Sequence, residues 1–105
     1  MNNTEIEYMY RDGSNYKFHG KFVVQRKIKA SDINKYLHDK EFFIPHEIGL
    51  DHLLNLPMNQ DDHYLHTFEG FLKTENKNYI FSAEEFINRM KKADKDGWFS
   101  SFNRT

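Results

Sequence analysis

Two runs near the start of the chain alternate in polarity with a period of two. Ile6, Tyr8 and Tyr10 alternate with Glu7, Met9 and Arg11. Further on, Tyr16, Phe18, Phe22 and Val24 alternate with Lys17, His19, Lys21 and Val23, and Gly20 interrupts the apolar row. Successive side chains on a strand point to opposite faces, so each run predicts a strand with one apolar face. The second run also has a mostly cationic face. Asp12-Gly13-Ser14-Asn15 between them supplies side chains that bond back to the local backbone and a glycine that accepts positive φ. The pair therefore predicts a hairpin with a loop of two to four residues within Asp12–Asn15, its turn type left open.

Downstream the apolar spacing lengthens. Ser31 is placed as an N-cap, and Ile33, Tyr36 and Leu37 follow at helical spacing, which predicts a short helix over Asp32–His38. In Phe42-Phe43-Ile44-Pro45 the residue before proline is pushed towards extended backbone, predicting a short strand or core anchor. Pro45 suits the start of a second helix, with Ile48, Leu50, Leu53 and Leu54 as its apolar face and an end near Asn55-Leu56-Pro57. Gly49 weakens that helix. Residues 63–74 predict a strand that pairs with the hairpin. Tyr64, His66, Phe68 and Leu72 would share one face, and Leu65, Thr67 and Phe71 the other.

The last helix carries the best start signal. Ser82-Ala83-Glu84-Glu85 fits a capping box, and Phe81 and Phe86 flank it as a hydrophobic staple. Phe86, Ile87, Met90 and Ala93 form the stripe, and Gly97 terminates it. The pattern as a whole predicts a single α+β domain spanning residues 1–105. It is a small antiparallel sheet, made of the N-terminal hairpin and a later strand, with helices packed on one face in the order ββααβα. Phe18, Phe22, Phe43, Phe68 and Phe86 are its expected core.

Composition changes the picture in three places. A chain of 105 residues suffices for one core, and with only 38% hydrophobic residues much of that core must come from its ten Phe and six Tyr. The absence of cysteine excludes a disulfide scaffold and any thiolate metal site. No apolar run approaches the ~20 residues that span a bilayer. Met1-Asn2-Asn3-Thr4-Glu5 lacks the basic and then apolar segments of a signal peptide, so a cytoplasmic location with no membrane partner is expected. The net charge of −1 argues against general attraction to nucleic acid but conceals a split. Residues 17–29 carry Lys17, Lys21, Arg26, Lys27 and Lys29 and no acid, whereas residues 32–62 carry seven acids against Lys35 and Lys40.

Several clusters are candidates for chemistry. Asp62, His63 and His66 are of the types that ligate zinc, manganese or iron. Residues three apart on a strand face opposite ways, however, so the strand predicted here counts against a metal site. Arg11, Asp12, Tyr16, Lys17 and His19 flank one turn and could handle a phosphate or a proton, though an Arg-Asp pair beside a tight turn is commonly structural. The basic and aromatic residues from Tyr16 to Lys29 suit single-stranded nucleic acid, but Phe18 and Phe22 fall on the face opposite Lys17 and Lys21. Trp98, Phe99 and Phe102 follow the last helix, where they either close the core or form an interface. No phosphate-binding glycine loop, nucleophile elbow or RNA-recognition aromatic motif is present.

Tyr10-Arg11-Asp12-Gly13-Ser14-Asn15-Tyr16-Lys17, then Phe42-Phe43-Ile44-Pro45 with Ile48-Gly49-Leu50, then Asp61-Asp62-His63 with His66, resemble a group of small uncharacterised bacterial proteins. These share a Tyr-Arg-Asp-x-x-Asn-Tyr-Lys stretch, a Phe-Ile-Pro segment and an Asp-His-x-x-His stretch. The likeness covers roughly residues 8–66. The group has no assigned activity, so the resemblance transfers no functional residue. It implies only that the hairpin turn and the Asp62/His63/His66 region belong together.

The expected function is that of a small cytoplasmic, non-enzymatic protein–protein interaction module, of the kind a bacterial or phage regulator or inhibitor would be. It needs no cofactor, and its partner is another protein or a second copy of the chain. Trp98, Phe99, Phe102, Arg11, Lys17 and Lys21 are its candidate contact residues. The alternatives are a nucleic-acid-binding protein using the basic strand 17–29 and a metal-dependent hydrolase using Asp62, His63 and His66.

Overall fold

In the computed structural model, residues 2–11, 17–50 and 65–98 are described. They form an α+β fold in which a five-stranded, curled mixed sheet makes a half-barrel closed by one C-terminal helix. The strands are β1 (Asn3–Arg11), β2 (Lys17–Gln25), β3 (Phe42–Phe43), β4 (His66–Thr74) and β5 (Phe81–Ser82), in the spatial order β3-β4-β1-β2-β5. The expected hairpin forms, with Ile6 opposite Phe22 and Tyr8 opposite Gly20, and its loop over Asp12–Asn15 lies outside the described residues. β1 lies at the centre, antiparallel to both β2 and β4. β5 runs parallel to β2, pairing Val24 with Phe81, so the sheet is mixed rather than purely antiparallel.

β4 departs from simple alternation. The register against β1 shifts between Glu7 and Tyr8: Gly70 lies opposite Glu7, but Phe68 lies opposite Tyr8, leaving Glu69 as an extra residue. A bulge of this kind reverses the facing of everything beyond it. Phe71 thus joins His66 and Phe68 on the core face, opposite Ile6, while Leu72 turns outward and is 48% exposed. The expected grouping of Leu72 with Phe68 is corrected by that single residue.

Neither helix expected mid-chain forms among the described residues. In their place are short 3-10 turns at Ala30–Asp32, Asn34–Tyr36 and Pro45–Ile48, so the order ββααβα with several helices does not hold. Local bonds explain the early stops. Asp32 Oδ2 accepts from the Lys29 N–H (2.8 Å), closing the first turn at Lys29 rather than at Ser31. Asp39 and Lys40 then reverse the chain with φ of 51° and 62°. Gly49, at φ 86°, ends the Pro45 turn in a left-handed conformation, and a Cβ there would lie 2.7 Å from Arg89 Nη1. The remainder of the second expected helix, including Leu53 and Leu54, lies outside the described residues.

The single helix, α1 (Ala83–Asp96), begins as expected: Ser82 Oγ accepts from the Glu85 N–H (3.1 Å), and Phe81 and Phe86 stack at 6.4 Å. Phe86, Met90 and Ala93 press its buried stripe onto the core face of the sheet, against Ile6, Tyr8, Phe22 and Val24. Phe22, Phe43 and Phe86 are buried, while Phe18 and Phe68 are only half-buried. Phe68 nevertheless stacks flat on Phe43 with ring centroids 3.9 Å apart. Among the described residues no helix is long and apolar enough to cross a membrane.

Candidate functional site

At the end of the half-barrel where β1 starts and β2 ends, the chain turns at Arg26 and crosses above the core face. This leaves a cleft of about 870 Å³. Ile28 and Phe71 supply its apolar floor, and Asn2, Asn3 and Thr4 add polar groups from the start of β1. Four cations surround it, Arg26, Lys27 and Lys29 from the crossing segment and Lys73 from β4. Among the described residues no carboxylate lines it, and none of these four cations has an ion-pair partner there. The acid nearest in sequence to the crossing segment, Asp32, places its Oδ2 on the Lys29 backbone N–H.

The crossing segment is held by side chains from β1. Thr4, 3% exposed, donates from Oγ1 to the Arg26 carbonyl (2.8 Å) and accepts from the Ile28 N–H (2.9 Å). Asn3, 8% exposed, accepts from the Arg26 N–H (2.9 Å) and donates from Nδ2 to the Asn76 carbonyl (2.8 Å). Two buried polar side chains are thus consumed in fixing backbone, which is where buried polar atoms must find their partners. Arg26 itself is held at φ 71°, a left-handed conformation uncommon for a residue with a Cβ.

The basic run at 17–29 is therefore divided. Arg26, Lys27 and Lys29 meet at the cleft, whereas Lys17 and Lys21 project from the opposite face of the sheet. There Lys17 lies across from Arg11, and Lys21 pairs loosely with Glu5 (3.7 Å). Arg11 also borders a smaller hollow of about 400 Å³ together with Glu41 and Glu69, whose charges oppose its own. Lys73, Asn3 and Thr4 were not singled out by sequence. Lys73 reaches the core face, opposite Thr4, only through the Glu69 bulge. The one signal for the other two was a polar pair opening an otherwise apolar alternation.

Other predicted site residues fall elsewhere. Trp98 is 3% exposed within the core cluster, and its indole N–H donates to the Tyr36 carbonyl (2.8 Å). Of the two roles the tail left open, it packs in the core. Phe99 and Phe102 lie outside the described residues, as do Asp62 and His63. His66 is fully buried among aromatic rings, 4.9 Å from Tyr10 and 6.0 Å from Phe43 between centroids. Among the described residues no three His, Cys, Asp or Glu side chains gather as metal ligands would.

Comparison of the chain with protein-family models, with curated proteins and with solved structures finds no match. The fold and the cleft define its class, a small α+β half-barrel with a cationic groove at one end.

Proposed function

We propose that this is a non-enzymatic binding protein whose cleft takes the phosphodiester backbone of a single-stranded nucleic acid. One observation carries it: four cations converge on one cleft with no acid among the described residues that line it, in a chain whose net charge is −1. Such a local excess attracts phosphate groups without making the whole surface sticky. Phe71, half-buried at the cleft, supplies a ring on which a base can rest. This recasts the nucleic-acid alternative read from the strand 17–29, because its ligand set is Arg26, Lys27, Lys29 and Lys73 rather than Lys17 and Lys21.

Fluorescence anisotropy with labelled oligo-dT and oligo-U of about ten nucleotides tests it. Four neutralised phosphates give a slope of log K against log salt of about −3, at roughly −0.7 for each contact with a single strand. Lys27→Gln and Lys73→Gln should each flatten the slope by about 0.7. Lys17→Gln and Lys21→Gln should leave it unchanged. No binding at low salt, or a slope indifferent to Lys27 and Lys73, refutes the proposal.

A second reading, contact with another protein or a second copy, has its own support on the outer face. Leu72, Tyr79 and Ile80 are 48%, 45% and 52% exposed. Leu72 and Val23 flank Glu5 across the sheet, and the Ile80 N–H donates to the Val23 carbonyl. Where exposed apolar side chains adjoin, the surface they make is one that associates. Sedimentation of wild type and Ile80→Lys over a range of concentrations tests self-association, and a monomer throughout removes the second copy.

A further inference from the structure

The chain has three residues other than glycine at positive φ among those described, and Arg26 differs from the other two. Asp39 and Lys40 lie in an exposed turn closed by short-range bonds, Lys40 N–H to the Leu37 carbonyl and Glu41 N–H to the His38 carbonyl. Arg26 is held from far away in sequence, by Asn3 on its N–H and Thr4 on its carbonyl. The residue best suited to that backbone is glycine, since a Cβ in the left-handed region crowds the following carbonyl. Strain of this sort persists where the side chain is needed in a fixed direction. Here the direction is the cleft, and among the described residues that line it this is the one planar, fork-shaped cation.

From this we infer that Arg26 is the phosphate anchor of the cleft. It grips two oxygens of one phosphate, and Asn3 and Thr4 act as positioning residues that lock its backbone before the ligand arrives. The inference rests on the proposed anionic ligand and adds which residue sets its geometry. A guanidinium offers two parallel N–H donors to a phosphate, whereas the ammonium groups of Lys27, Lys29 and Lys73 act as point charges around it. With the Arg26 N–H and carbonyl and the Ile28 N–H already bonded, less backbone freedom remains to be lost on binding.

The backbone makes the test unusual. At most sites a change of Arg to Gly loosens the fold, but at φ 71° it relieves strain. Arg26→Gly is therefore expected to melt at the wild-type temperature or a few degrees above it, while losing at least tenfold in affinity for the oligonucleotide. Arg26→Lys, which keeps the charge but not the fork, should lose a substantial part of that affinity. Titration with inorganic tripolyphosphate is run alongside. Binding of tripolyphosphate that depends on Arg26, with none of oligonucleotide, overturns the nucleic-acid reading and upholds the anchor. Affinity for both probes unchanged in Arg26→Gly overturns the anchor and leaves the nucleic-acid reading standing. A fall of several degrees in the melting temperature of Arg26→Gly also overturns it, because the side chain then serves the fold. Failure of the wild-type chain to bind either probe overturns both.

Discussion

Replacing Thr4 with Val isolates the contacts that hold the crossing segment. Valine keeps the β-branched shape and the strand preference of threonine, so packing at this 3% exposed position is nearly conserved. The bond from Thr4 Oγ1 to the Arg26 carbonyl and the one from the Ile28 N–H to Oγ1 are lost together. Each such bond is worth about 0.5–1.5 kcal/mol net. The second lies in a buried environment, so the Ile28 N–H is left without a partner, which pushes its share towards the 1–3 kcal/mol of an orphaned donor. The Arg26 carbonyl is closer to solvent, and water can take over as its partner. The expected loss is about 2–3 kcal/mol, a large part of the roughly 5–15 kcal/mol available to a domain of this size. That corresponds to a drop of about 10–15 °C in Tm. Urea denaturation with far-ultraviolet circular dichroism measures it. Thr4→Ser, which keeps the hydroxyl, is the control and should fall by no more than about 1 kcal/mol. If Thr4→Val melts within about 2 °C of wild type, the crossing segment is not held by Thr4 and its pre-organisation fails with it.

Trp98→Ala should cost about 3–5 kcal/mol by removing a buried ring and its bond to Tyr36, so thermal unfolding at near-native temperatures would mean that the indole is not in the core. The Glu69 bulge predicts opposite fates for neighbours: Phe71→Ala should lower stability by at least about 2 kcal/mol, while Leu72→Ser stays within about 0.5 kcal/mol, and denaturation curves showing the reverse order would return β4 to simple alternation. Ser82→Ala should lose about 1 kcal/mol through the cap on the Glu85 N–H, read in the same assay, and no measurable change would remove the cap as a source of stability.

How far each element could be read from sequence follows from the reach of the interactions that make it. The β1–β2 hairpin and the start of α1 were legible because their signals are local. Alternating side chains choose a face for each strand, and Ser82, Glu85, Phe81 and Phe86 all act within one turn of the helix end. The mid-chain helices were overestimated for the converse reason. Ile33, Tyr36 and Leu37 have helical spacing, but a few residues cannot nucleate a lasting helix against Asp32, Asp39 and Gly49, which close the chain into tighter turns.

Charge and composition marked residues 17–29 as basic, yet which of those cations act together was beyond the sequence. Alternation alone sends Lys17 and Lys21 to the outer face, but only the turn at Arg26 carries Arg26, Lys27 and Lys29 over the core face. Lys73 joins them because one extra residue at Glu69 shifts the register of β4, bringing His66, Phe68, Phe71 and Lys73 to one side. β5 joins β2 in parallel, and Trp98 reaches back to Tyr36, through contacts between segments distant in the chain. By itself the sequence determined the strand periods, the helix cap and the local signs of charge, since these depend on neighbours a few residues away. The tertiary structure decided the bulge, the cleft and the fate of the tryptophan, because each depends on which distant backbone groups meet and in what register.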